Sequence, residues 1–109
     1  YLQYWYRTRG VVTLPQAIRK LTKMPAEVLG LKKRGTLEVG NFADINIFDP
    51  QTVASGQPTY VNDFPGQTGR LLIKSRGYAA TIGNGQIVTE QGNHTGARPG
   101  RVIREFARA

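Results

Sequence analysis

The sequence contains no cysteine, one histidine, one methionine and one tryptophan among 109 residues. Without cysteine there is no disulfide framework and no thiolate metal site. A lone histidine cannot supply a hydrolytic zinc centre, which generally needs three or more protein ligands, mostly His and carboxylate. No apolar run approaches the ~18 residues of a membrane span, and residues 1–10 lack the continuous apolar core of a secretory signal. The expectation is a cytoplasmic chain with no membrane partner. There is no G-x-S-x-G nucleophile elbow and no G-x-x-x-x-G-K-S/T phosphate loop. Acidic residues are also scarce: 7 Asp and Glu stand against 15 Lys and Arg, for a net charge of +8. Such an excess can attract nucleic acid or anionic lipid. The simpler reading is a surface balanced by an acidic segment elsewhere, and nucleic acid is not the expected partner.

What is present is a change of character along the chain. Residues 1–9, YLQYWYRTR, suit an amphipathic helix, with Leu2, Trp5 and Tyr6 at the spacing of one face and Gly10 as its stop. Thr13 and Gln16 form a capping box, Pro15 fits the first turn, and Leu14, Ala17, Ile18 and Leu21 line the face of a second helix. Pro25 is expected to open a short third helix that turns Val28 and Leu29 inward and ends on Gly30 as a left-handed cap.

After Gly35 the pattern turns to strands. Residues 43–48 alternate Ala43, Ile45 and Ile47 against Asp44, Asn46 and Phe48, between turn signals at Gly40 and Asp49-Pro50. Residues 54–70 are rich in Gly, Pro, Ser, Thr and Gln and read as a long loop. Strands 78–82 and 86–90 flank Gly83-Asn84-Gly85, and Asn-Gly supplies the positive φ angles of a type I′ hairpin turn. Gln91-Gly92-Asn93 turns again, and the tail can form a last helical turn or lie extended. One strand and one hairpin cannot close a sheet alone, so these strands read as a remnant whose partners lie elsewhere. The fold class is α+β, helices first and strands after.

The chemistry-bearing side chains are sparse. His94 reads as an exposed loop residue. Asp44, at a strand entry, is expected to bond neighbouring amides, and Asp49, before Pro50, marks a turn. Neither has the His or carboxylate nearby in sequence that acid–base work needs. Ser55 and Ser75 sit in no nucleophile motif. Arg98, Arg101, Arg104 and Arg108 would make one cationic stripe if helical, but with only Phe106 interleaved and no known nucleic-acid motif they read as a tail over acidic surface. No catalytic, cofactor-binding or metal-ligating residue is assigned.

The order of these segments resembles a known family. Residues 13–31 look like the late barrel helices of the amidohydrolase superfamily. The stretch 34–50, RGTLEVGNFADINIFDP, resembles its return strand through Arg34, Gly35, Leu37, Gly40, Ala43, Asp44, Ile45, Ile47, Phe48 and Asp49. Residues 77–88, GYAATIGNGQIV, resemble its terminal hairpin, with Gly83 where Val is usual, a departure expected to loosen the turn. GNHTGARPGRVIRE, residues 92–105, resembles the ending of D-aminoacylases and related N-acyl-D-amino-acid deacylases through His94, Thr95, Gly96, Pro99, Gly100 and Arg101. Only the 54–62 stretch lies outside the likeness.

The resemblance implies that residues 1–33 end a (β/α)8 barrel and residues 34–109 form the C-terminal part of a small β-sandwich completed by the other chain end. It implies an amide-hydrolysing parent enzyme whose zinc ligands and base lie upstream, so that this chain holds no cofactor itself and is inactive alone. The chain, which begins at Tyr1 rather than Met, then reads as a processed product or fragment. The implied partner is the missing barrel segment. Self-association through open strand edges is a further expectation, as is incomplete cover over Ile45 and Ile47. A stand-alone basic module or a non-catalytic orphan domain are the other readings.

Overall fold

The computed structural model describes residues 1–104. The first element is a π-helix over Leu2–Thr8. Its wider i→i+5 turn is seen in the bond from the Arg9 amide to the Tyr4 carbonyl, 2.8 Å. The expected helix is therefore present, but its face is rotated: Leu2 is buried, Tyr6 packs beside it and Trp5 is turned outward. Helix α1 follows at Leu14–Leu21 with both halves of the capping box formed. The Gln16 amide donates to Thr13 Oγ1, and the Thr13 amide donates to Gln16 Oε1 at 2.9 Å. Ala17, on its inner face, is 0% exposed; Leu14 and Ile18 pack beside the same core, whereas Leu21 is largely exposed.

Helix α2 spans Lys23–Val28, starting two residues before Pro25. Pro25 still lies in the first turn, where its missing N–H costs nothing. Ala26, not Val28 or Leu29, is the buried residue; Val28 is 80% exposed. The inward face is set by Gly35, which comes so close that a Cβ there would lie 2.7 Å from Ala26 Cβ. Gly30 has φ +64°, as a left-handed cap should.

The strands assemble further than the sequence suggests. Strand β1 (Ile45–Phe48) pairs antiparallel with β6 (Tyr78–Gly83), which pairs with β7 (Gln86–Glu90), which pairs with β8 (Asn93–His94). The result is a four-stranded antiparallel sheet closed by a contact more than thirty residues long in sequence. Asn84 and Gly85 have φ of +45° and +81°, the two positive values of a type I′ turn. Gly83 still pairs with Gln86, so its small size does not open that turn. Gln91 and Gly92, at +48° and +81°, make a second such turn into β8. The β1–β6 register shifts between Ile47 and Phe48, where β6 inserts Ala79. Phe48, expected on the polar side, instead packs toward the core beside Tyr78, with ring centroids 6.0 Å apart. Ile47 is left largely exposed and Ile45 half-buried.

Residues 54–70 are not a loop. They form one arm, and the start of the other, of a β-ribbon. Strand β2 (Ala54–Ser55) pairs with β5 (Ser75–Arg76), and β3 (Thr59–Val61) with β4 (Arg70–Leu72), around a 3-10 turn at Pro65–Gln67. Short strands with both faces open carry no alternation that marks a buried side, which is why composition misled there. The tail is extended rather than helical through Arg104, so Arg98, Arg101 and Arg104 form no helical stripe; Arg108 lies outside the described residues.

Leu2, Ala17 and Val53 form the buried cluster, with Tyr6, Val12, Leu14, Ile18, Phe48 and Tyr78 packed round it. The guanidinium of Arg7 joins the first helix to the turn after β1 by donating to the Pro50 and Val53 carbonyls at 3.0 and 2.9 Å. Among the described residues no helix is long and apolar enough to cross a membrane.

Candidate functional site

The residues that carry chemistry are dispersed and individually engaged. His94 lies on the two-residue strand β8 rather than in a loop. It is exposed, and its Nδ1 accepts the Gly96 amide at 2.8 Å. Asp49 closes a local turn, accepting the Gln51 amide at 2.8 Å and the Thr52 hydroxyl at 3.0 Å, as its place before Pro50 predicts. Ser55 and Ser75 face each other across β2 and β5, in a different sheet from His94. Glu27 pairs with Arg19 and Lys23 on the helical surface. Among the described residues no three His, Cys, Asp or Glu come together as a metal cluster.

Asp44 differs from expectation. Its carboxylate does not bond adjacent amides. One oxygen accepts the amide of Asn84, forty residues away, at 2.8 Å, and the other pairs with Arg34. The Gly85 amide donates to the Ala43 carbonyl at 3.0 Å beside it. Arg34 also lies over the Phe42 ring, 4.2 Å from its centroid. Asp44 thus fastens the start of β1 to the tip of the β6–β7 hairpin. Both its oxygens are engaged in this fastening.

A further ion pair sits at the tip of the ribbon. Arg70 donates Nε–H and an Nη–H to the two oxygens of Asp63, at 2.7 and 2.6 Å, and stands over Phe64. These hydrogen bonds hold the Asp63 carboxyl below the usual carboxylate range and raise Arg70 in turn. The pair was hidden because the stretch reads as a loop. The signal available was the β-prone Thr59-Tyr60-Val61 and Arg70-Leu71-Leu72 on either side of Pro65-Gly66.

The concave feature nearest Asp44 is a groove of ≈ 750 Å³. One wall is Leu31, Lys32, Arg34 and Phe42; the other is the extended tail from Pro99 to Arg104; Asp44, Gly83 and Asn84 lie at its head. It brings together two of the tail cations, Arg101 and Arg104, with Lys32 and the committed Arg34. A groove so lined can hold an anion or an acidic chain. It contains no nucleophile–base pair.

Comparison with known proteins adds a frame to this geometry. The sequence profile of the Amidohydrolase family matches residues 2–89. N-acyl-D-glutamate deacylase of Alcaligenes xylosoxydans xylosoxydans is 36% identical over 103 residues, 94% of this chain and 19% of the deacylase. D-aminoacylase of the same organism is 33% identical over 106 residues, 97% of this chain and 20% of the enzyme. A dihydroorotase of Pelotomaculum thermopropionicum is 42% identical over 84 residues, 74% of this chain. A crystal structure of D-aminoacylase superposes with a TM-score of 0.75 at 34% identity, covering 95% of this chain and 20% of that one. The chain spans about a fifth of the length of the deacylases it matches.

Proposed function

This chain belongs to the amidohydrolase family, and from that premise we propose that it is the C-terminal closing segment of a metal-dependent enzyme that hydrolyses the amide bond of N-acyl-D-amino acids. The observation that carries this reading is the asymmetry of coverage. Nearly all of this chain, but only a fifth of each deacylase, is matched. In this reading residues 1–33 finish the barrel and residues 34–109 supply part of the small β-domain. The surface supports it: Val28, Leu29, Leu37, Val39 and Ile47 are exposed, apolar and spread over the end of α2, the stretch that follows it and β1, the kind of area that larger assemblies cover.

Zinc, which the family implies, does not fit the described residues. His94 has one ring nitrogen occupied, and Asp44, Asp49 and Asp63 are committed to hydrogen bonds in three separate places. In this reading the hydrolytic centre lies in the rest of the enzyme, where a bound metal would lower the pKa of the attacking water. The part played by this chain is positional. Asp44, Arg34 and the Asn84-Gly85 turn hold the strands in register, and Arg7 ties the turn after β1 to the first helix.

The experiment is a replacement. This chain is grafted in place of the matching fifth of the Alcaligenes D-aminoacylase, and zinc content and hydrolysis of N-acetyl-D-amino acids are measured. Recovery of both, with neither shown by the truncated enzyme or by this chain alone, is the expected result. A folded chimera that binds zinc and stays inert toward every N-acyl-D-amino acid would sink the assignment of substrate class.

A further inference from the structure

The groove beside Asp44, of ≈ 750 Å³, is used by no step of the proposed function. Its lining mixes two kinds of side chain. Lys32, Arg101 and Arg104 are exposed and make no ion pair among the described residues, whereas Arg34 is spent on Asp44. Phe42, Val102 and Ile103 bring exposed apolar surface to the same walls. The groove thus offers cations and apolar contacts together, in a chain whose net charge is +8.

That combination discriminates between anionic partners. Single-stranded nucleic acid binds through cations and open aromatic faces on which bases stack. Phe42 is the one aromatic side chain in this lining, and the Arg34 guanidinium already covers its ring at 4.2 Å. Phosphate contacts alone would also leave Val102 and Ile103 facing solvent. An extended polypeptide with carboxylates beside apolar side chains answers both: the acids meet Lys32, Arg101 and Arg104 while the apolar groups cover Phe42, Val102 and Ile103. The volume, ≈ 750 Å³, has room for a few residues of such a chain.

We infer that this groove is the docking surface for an acidic, apolar-bearing segment from the remaining four-fifths or so of the full-length enzyme. This rests on the reading of the chain as one piece of a larger amidohydrolase, which supplies the length of chain outside these residues. It adds a specific contact: docking is steered by charge and held by the tail, so residues 99–104 gain cover when the segment is seated.

The test titrates the chain with the Alcaligenes D-aminoacylase lacking its matching fifth, and separately with a short labelled peptide alternating Glu and Leu. Both are expected to bind. Lys32→Gln with Arg101→Gln should weaken both by about tenfold, equivalent to about 1.4 kcal/mol, whereas Lys20→Gln with Lys74→Gln should not. Raising salt from about 0.1 M to about 1 M, which shortens the Debye length from ~10 to ~3 Å, should erase the difference between the variants. Far-UV circular dichroism identical to that of the parent chain identifies variants that fold. If the truncated enzyme binds but both double variants lose equally, the groove is refuted and the closing-segment reading survives. If the peptide binds at Lys32 and Arg101 but the truncated enzyme does not associate, the assigned occupant is wrong and so is the parent reading. A single-stranded oligonucleotide that displaces the peptide from those two cations overturns the inference in favour of nucleic acid.

Discussion

Replacing Asp44 by Ala removes two contacts at once, and their sizes can be worked from the geometry. The bond from the Asn84 amide to Asp44 is 2.8 Å long and charge-assisted. Such bonds contribute about 1.5–3 kcal/mol when shielded. The Asp44 side chain is 43% exposed, which places it at the low end. The ion pair with Arg34, whose side chain is 23% exposed, adds roughly 0–1 kcal/mol. The expected loss is about 2 kcal/mol. For a chain of this length that lowers the melting temperature by about 9 °C. Asp44→Asn separates the two contributions, because its amide oxygen can still accept from Asn84 while the charge is gone. It should cost about 1 kcal/mol. Thermal melts followed by circular dichroism give the totals. Amide exchange at Asn84 and Gly85 gives the location, and both should speed up in the Ala variant far more than amides in α1. If Asp44→Ala melts with the parent chain, or if Ala and Asn cost the same, the carboxylate is not the fastening described.

Three other outcomes follow from the same contacts. Thr13→Ala removes the capping-box acceptor of the Gln16 amide and should cost about 1 kcal/mol, read as a lower urea midpoint at unchanged m-value. Gly77→Ala places a Cβ 2.5 Å from the Val53 backbone at φ +81°; urea unfolding should show a loss of at least about 2 kcal/mol, since neither the backbone nor the angle can give way cheaply. The folded Asp63 carboxyl titrates below its unfolded counterpart, so its contribution is present above the ordinary carboxylate range and is lost as the pH falls through the lowered value. NMR titration should show ordering at the ribbon tip decaying only in acid, and Asp63→Asn should abolish that dependence.

What the sequence revealed is what is decided locally. Thr13 with Gln16, Asn84-Gly85, and Gly30 each fix a backbone conformation within a few residues, and each is found as read. Asp49 likewise closes its own turn. The misreadings all involve a distant partner. Asp44 looked like a local turn residue because its real donor is forty positions away. Val28 and Leu29 looked inward because nothing in α2 itself announces that Gly35 will bring its backbone against Ala26. The ribbon looked like a loop because each strand pair is only two or three residues long, too short for alternation to separate from noise. The candidate site was the least legible part: its walls come from residues near 31, 42, 84 and 100, brought together by the β1–β6 pairing and by the bonds of Asp44 to Arg34 and Asn84.

That pairing also bears on how the chain can be well formed while much of its apolar surface stays uncovered. Among the described residues the buried ones are few and mostly small: Leu2, Ala17, Ala26, Val53 and Ala54. Leu2, Ala17 and Val53 join the first helix, α1 and the turn after β1 around one point, which Arg7 closes by bonding the Pro50 and Val53 carbonyls. Away from that point the cover thins. Tyr60 and Leu71, opposite each other on the ribbon, are 66% and 68% exposed, and Val28 and Ile47 face outward on other elements. Hydrogen bonds and tight turns therefore specify the shape, while much of the apolar surface that would stabilise it remains available. A protein stabilised mainly by its own core would show the reverse. The proposed closing segment requires such a distribution: a geometry encoded within its own sequence, and apolar surface left for the rest of the enzyme to cover.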